Sequence, residues 1–152
     1  MDARKAHEIF GYLRSVDDGF FLAGSARRGK LEDIHDLDVV YVGREVPPLP
    51  GHAAFVKGKD ITRYTVMGEQ VDVYRTDPES FGAMYLYLTG PQQYNIIMRV
   101  KAKRKGMLLN QRGLYDRETH ELIASRTEQD IYDALGVAYK PPELRGKEDQ
   151  KC

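Results

Sequence analysis

Three aspartates carry the most specific chemistry in this sequence. Asp36 and Asp38 flank Leu37, and in a strand residues two apart project from the same face. Two carboxylates side by side repel each other. Leu37, Val39 and Val40 mark a buried strand, where uncompensated charge is expensive. A divalent cation resolves both problems, and oxygen-only ligands suit magnesium, with manganese as the alternative. Asp72 repeats the situation between Val71 and Val73, and neighbouring strands of one sheet can bring all three carboxylates together. Alone, an Asp-x-Asp at a strand end is more often a turn or a salt-bridge partner, so the second strand is what strengthens the metal reading. The sequence has four histidines and one cysteine, with no cluster of either, so zinc is not expected.

Ahead of these aspartates runs Gly24-Ser25-Ala26-Arg27-Arg28-Gly29, between an apolar strand and the strand of Asp36 and Asp38. Glycines let the backbone approach a phosphate closely, and free amides with the Ser25 hydroxyl can donate to its oxygens. Arg28 can add a charge-assisted, bidentate contact. A glycine–serine pair by itself is usually just a turn. Its place directly before two strand carboxylates makes it a candidate phosphate cradle beside a metal site, which is the equipment of nucleotidyl transfer.

The elements that must hold these groups can be read from periodicity. Ala6, Ile9, Leu13 and Val16 recur at helical spacing, which predicts an amphipathic helix over 3–16. Phe20–Ala23 and Leu37–Val42 read as strands, and residues 24–35 as a loop with at most a helical turn. Residues 53–57, 61–67 and 71–74 read as further strands. The character changes near Asp77-Pro78. Phe81, Met84, Tyr85 and Leu88 mark a helix, Thr89-Gly90-Pro91 breaks it, and Tyr94, Ile97 and Met98 give a second helix its apolar face. Met107–Asn110 and Glu121–Ala124 read as a small hairpin around Gly113–Thr119. Thr127 can cap a last helix to Leu135. The expected fold class is α+β. Residues 1–78 form a mixed sheet with helices, residues 79–152 a small α+β lobe, and the charged tail from Gly146 to Cys152 is frayed.

Composition bounds the function classes. The 152 residues suffice for a real core, and 41% hydrophobic with 30% charged residues is ordinary for a globular protein. The single cysteine excludes an internal disulfide framework, which fits a reducing cytoplasm. No apolar run approaches the roughly 20 residues that span a bilayer, and the N-terminus lacks a signal-peptide pattern. The formal net charge of +0 lacks the overall basic field common among nucleic-acid binders. The densest basic run, Arg99-Val-Lys101-Ala-Lys103-Arg104-Lys105, is the candidate for touching phosphate, although such runs are usually solvated helix faces.

Gly-Ser-Ala-Arg-Arg-Gly followed by Asp36-Leu-Asp38 resembles the glycine–serine and Asp-x-Asp signature of the polymerase beta nucleotidyltransferase superfamily. Tyr87-Leu88-Thr89-Gly90, then Asn95, then Met98-Arg99 is similar to the corresponding segment of family X DNA polymerases. So are Thr127–Tyr132 and Pro141–Arg145, and the likeness covers about residues 6–145. The resemblance implies a nucleotidyltransferase palm followed by a C-terminal thumb or fingers subdomain, without the family's usual lyase-type and helix-hairpin-helix modules. It implies a template-directed DNA polymerase that adds deoxynucleotides by two-metal-ion transfer, filling short gaps in repair or replication.

In that reading Asp36 and Asp38 bind both metals, and Asp72 binds the catalytic metal and activates the primer hydroxyl. Gly24, Ser25 and Arg28 hold the triphosphate, and Tyr87 and Gly90 lie against the incoming sugar. Gln92 and Asn95 share one helical face with Arg99, with Asn95 near the incoming base and Arg99 on the template. Lys101, Lys103 and Lys105 extend the DNA contact. The expected partners are primer–template or gapped DNA and a deoxynucleoside triphosphate, for a cytoplasmic monomer of bacterial or viral origin with no membrane. The competing readings are an untemplated nucleotidyltransferase acting on RNA, protein or a small molecule, and an inactive nucleic-acid-binding module. Three departures stand out: His35 precedes the first aspartate where glycine is common, Leu88 replaces an aromatic, and Tyr74 stands where polymerase beta has an arginine that can pair with a metal-binding aspartate.

Overall fold

The computed structural model describes residues 1–146, so residues 147–152, which make up most of the expected frayed tail and include Cys152, lie outside the described residues. The chain divides into two compact units, Met1–Asp77 and the residues from Pro78 onward.

The first unit opens with helix α1, Ala3–Val16, capped by Asp2, whose carboxylate accepts the Lys5 amide at 2.9 Å. Strand β1, Phe20–Leu22, leads into a single helical turn, α2, Gly24–Arg27, and then into β2, Leu37–Val42. Strands β3 (Ala54–Lys57), β4 (Ile61–Val66) and β5 (Glu69–Thr76) complete a five-stranded sheet in the order β1-β2-β5-β4-β3. Only β2 and β5 run parallel. Period-two alternation sorts the residues of this pair. Leu37, Val39, Val71 and Val73 enter one core with Tyr64 and Val66 of β4 and with Ala6, Ile9 and Leu13 of α1. Each fully buried Leu, Ile or Val of this set contributes roughly 1.5–3 kcal/mol of hydrophobic stabilisation. The intervening residues, Asp38 and Asp72 among them, take the other face.

The second unit has its own core. Helices α3 (Phe81–Thr89) and α4 (Gln92–Arg104) precede strands β6 (Met107–Asn110), β7 (Gly113–Asp116) and β8 (Leu122–Ala124), and α5 spans Glu128–Leu135. Here the structure corrects the expected hairpin. The segment read as its turn contains β7, which pairs with both β6 and β8, so the outer strands do not meet. A strand of four residues that starts on glycine carries too little alternation to be seen. Gly82 of α3 lies against the Thr127 backbone, where an added Cβ would stand 2.2 Å from the carbonyl carbon. Thr127 caps α5, accepting the Asp130 amide at 3.0 Å.

A polar assembly ties the end of the described chain to α5. Arg145, 2% exposed, grips Glu128 with two nitrogens at 2.8 and 3.3 Å and donates from Nε to the Lys140 carbonyl. Its guanidinium also lies over the rings of Tyr132 and Tyr139. Burial lowers the affinity of Arg145 for its proton, but the Glu128 carboxylate outweighs that and raises it overall. Beneath them the hydroxyls of Tyr94 and Tyr132 share a buried hydrogen bond of 2.7 Å. Removing one partner of a buried pair strands the other charge, which costs about 3–5 kcal/mol. Arg145→Ala should therefore lower the unfolding free energy by about that amount in urea titrations. Pairing Arg145→Met with Glu128→Gln should recover much of the loss. A loss under about 1 kcal/mol for Arg145→Ala would mean that the pair is not holding this unit together.

Candidate active site

The parallel pairing of β2 and β5 places Asp38 directly opposite Asp72. Asp36 lies just before β2 and is exposed, while Asp72 is 5% exposed. The three negative charges act on one another. Asp38 is pushed up to about 6, first by burial and then by Asp72 and Asp36, with Arg28 and Arg63 pulling in the opposite direction. Such a site favours a cation strongly.

The glycine–serine turn is built onto Asp38. The Ala23 amide donates to the Asp38 carbonyl at 2.9 Å. Gly24 has φ +62°, and a Cβ there would stand 2.7 Å from Asp38 Oδ2, so both the backbone angle and the space demand glycine. Ser25 follows, half-buried. Burial lowers the Arg28 pKa while the Asp38 carboxylate partly offsets it, placing this guanidinium within electrostatic reach of the carboxylates.

Two residues that the sequence reading did not single out also serve this site. Gln70, two before Asp72 on the same face, donates to Asp72 Oδ1 at 2.9 Å. Arg63 sits opposite Asp72 on β4, with Nε 3.3 Å from the same oxygen. Period two alone puts Gln70 beside Asp72. Arg63 becomes visible only with the register of β4 on β5.

The donor set is chemically right for a hard divalent cation, being carboxylate oxygen only. Among the described residues no three acidic, histidine or cysteine side chains are already gathered as a metal would gather them.

In the second unit, Asn95 donates from Nδ2 to the Tyr87 carbonyl at 2.8 Å, tying α4 to the end of α3. Tyr87, Asn95, Met98, Arg99 and Asn110 line a small pocket of about 20 Å³, room for about one water molecule. Gln92 is exposed at the start of α4, and Gly90, buried with φ +59°, is the C-cap of α3. The basic run does not form one stripe. Helical spacing puts Arg99 and Lys103 on the Asn95 face, where they join Arg117, Ile96 and Val100 in an open groove of about 210 Å³. Lys101 projects from the other side. Lys105 donates from Nζ to the Leu135 carbonyl at the end of α5, which occupies it with helix capping. Arg117, in the turn after β7, is a cation of this groove that the sequence reading left aside.

A family profile described as DNA polymerase beta thumb matches residues 84–146. Several relatives share much more of the chain. The Repair DNA polymerase X of African swine fever virus (isolate Pig/Kenya/KEN-50/1950) is 32% identical over 158 residues, covering 94% of this chain and 91% of that protein. The DNA polymerase/3'-5' exonuclease PolX of Bacillus subtilis is 28% identical over 137 residues, covering 83% of this chain but 24% of that protein, so the chain spans about a quarter of this relative's length. Among solved structures, the ternary gap complex of Leishmania infantum polymerase beta has a TM-score of 0.75 at 21% identity, covering 96% of this chain and 70% of that one. At such identity the likeness is one of fold, and it supports the α+β palm-and-thumb class. Fold and relatives together define a DNA polymerase. The chain belongs to family X of those enzymes. Among the described residues no helix is long and apolar enough to cross a membrane.

The carboxylate geometry predicts a pH effect. Because Asp38 binds its proton more tightly in the fold than in the unfolded chain, the associated stabilisation is complete below about pH 4 and is lost as pH rises through about 6. Without divalent ions, wild type should therefore lose stability across that window relative to Asp38→Asn, measured by urea titration at several pH values. Parallel curves for the two proteins would show that neither burial nor the neighbouring carboxylates raise the proton affinity of Asp38.

Proposed function

We propose that this chain fills short gaps in DNA by template-directed addition of deoxynucleotides, with divalent cations held by Asp36, Asp38 and Asp72. The observation that carries the reading is the in-register placement of Asp38 beside Asp72, with the Gly24–Arg28 turn packed on the Asp38 carboxylate. When bound, two magnesium or manganese ions would supply activation of the attacking hydroxyl and neutralisation of the leaving pyrophosphate.

The protein's own residues do the positioning. Asp36 and Asp38 would hold both ions, and Asp72 would help hold the one that activates the primer 3′-hydroxyl. The Ser25 hydroxyl and the amides beside Gly24 donate to phosphate oxygens, and Arg28 balances the charge of the triphosphate. Tyr87 and Gly90 form the sugar-side surface. Gln92 and Asn95 face the incoming base, and Arg99 the template. The groove of Arg99, Lys103 and Arg117 supplies the phosphate contacts. Lys101 and Lys105 are peripheral contributors, Lys105 with one donor bonded to the Leu135 carbonyl.

The names of the relatives support this reading, as do the ternary P/T and gap complexes among the similar polymerase beta structures. The test is single-nucleotide insertion on gapped, nicked and single-stranded DNA, with magnesium and with chelator. Asp72→Asn should slow insertion by about three orders of magnitude or more while leaving the fold intact. A variant that turns over like wild type would remove Asp72 from the chemistry.

Template dependence has a separate readout. The minor-groove edge presents acceptors common to correctly shaped pairs, so a side chain there tests pair geometry. Arg99→Ala should reduce templated insertion about 10-fold or more and lower discrimination between right and wrong pairs, with nucleotide affinity little changed. If wild type adds the same nucleotide whatever the template base, the enzyme is an untemplated transferase.

A further inference from the structure

The five-stranded sheet carries a second polar recess, on the face turned away from the aspartates. Alternation along β5 puts Arg75 on the side of Val71 and Val73, opposite to Asp72, and alternation along β4 puts Thr62 there with Tyr64. With the loop that follows β2, these residues line an open cleft of about 650 Å³, within the size range of ligand sites. Asp38 stands near the start of β2, whereas Arg44 follows its end. The cleft and the carboxylates are therefore separated along the strand as well as across the sheet.

Four cations line the cleft, in two kinds. Arg75 is committed to the fold: it donates to the Gly43 carbonyl at 2.7 Å and pairs with Asp77 at 3.0 Å and Asp60 at 3.8 Å. Those bonds neutralise Arg75 and fix the loop after β2 to the sheet. Arg44 from that loop, Lys57 at the end of β3 and Lys59 in the turn after it are exposed. Among the described residues none of these three has an ion-pair partner. Against them stands Glu45, the one acid of the lining. Lysines on an edge strand often serve only to deter strand pairing, and β3 is an edge. That role does not call for Arg44, which reaches the same cleft from another element. The same edge strand presents Phe55, 56% exposed, two residues before Lys57. Cations beside an exposed ring are the equipment for an unpaired nucleic-acid strand, whose phosphates follow the cations while a base stacks on the ring. Phe55 lies outside the cleft lining, which suits a strand running past the cleft better than a single nucleotide lodged in it.

We propose that the cleft of Arg44, Lys57 and Lys59 binds the phosphate backbone of single-stranded DNA, with Phe55 stacking on one of its bases. It is a second DNA site, for unpaired strand flanking the duplex, on the side of the sheet away from the carboxylates. The inference rests on the reading that the chain works on DNA, and it is independent of the metal assignment.

The test is fluorescence anisotropy of a labelled oligo(dT) of about ten nucleotides with the full chain, over a range of salt concentrations. Replacing Arg44, Lys57 and Lys59 together by Ala should weaken binding about tenfold or more. It should also flatten the slope of log affinity against log salt by about two, as three lost phosphate contacts on a single strand require. Phe55→Ala should weaken binding about fivefold or more with the salt slope unchanged. Lys57→Arg with Lys59→Arg, which keeps the charge, should bind as wild type does. The triple variant should still insert a nucleotide at a single-nucleotide gap in duplex DNA at the wild-type rate. An insertion rate that falls in parallel with oligonucleotide affinity would put the cleft on the path of the reacting duplex and overturn its standing as a separate site. Complete displacement of the oligonucleotide by inorganic triphosphate at equal phosphate concentration would make it a site for small polyphosphates and overturn the strand assignment. If the triple variant binds the oligonucleotide normally while wild type fills the gap, only this inference is wrong. If wild type inserts nothing at the gap but the triple variant loses the oligonucleotide, the gap-filling reading falls and the cleft assignment stands.

Discussion

Placing two ionised aspartates face to face on adjacent parallel strands is the constraint to which the rest of the first unit answers. Register alone decides it, because a slip of one residue would turn Asp38 or Asp72 into the core and a valine out of it. The apolar alternation of Leu37, Val39, Val71 and Val73 against α1 prevents the slip. Hydrophobic packing on one face thus holds in place an electrostatic arrangement on the other that would not form unaided.

Around that arrangement, positive and neutral donors come from three directions. The turn before β2 brings Arg28 to the Asp38 side, β5 itself brings Gln70, and β4 brings Arg63. The second unit uses buried charge differently. Glu128 and Arg145 meet in a closed, two-pronged pair stacked on aromatic rings, with every Arg145 nitrogen engaged. In the first arrangement the Arg63–Asp72 pair is partly open to solvent. The second is enclosed and suited to permanence.

Much of the fold was legible because the helices and longer strands carry strong periodicity. Helix α1 begins and ends where its apolar spacing says it should, and Leu37–Val42 is a strand over its whole expected length. Strand β7 escaped because four residues that start on glycine show no usable alternation. In the site, Asp36, Asp38, Asp72 and the glycine–serine turn could be read from local spacing, since each sits next to its own buried strand. Arg63 could not, because its meaning lies in a pairing between strands. Lys105 looked like one more cation of a basic run. Its bond to the Leu135 carbonyl, thirty residues away in sequence, depends on tertiary packing that charge pattern cannot express.

The Arg145–Glu128 pair also bears on how the chain is made. A ribosome delivers residues in order, and the first unit, with all its strands between Phe20 and Thr76, has its complete core as soon as Asp77 has emerged. The second unit matures later than its helices and strands. The guanidinium that grips Glu128 at the start of α5 arrives only with Arg145. Synthesis therefore delivers the carboxylate-bearing unit first, and the second unit gains its Arg145–Glu128 latch only once Arg145 has been translated.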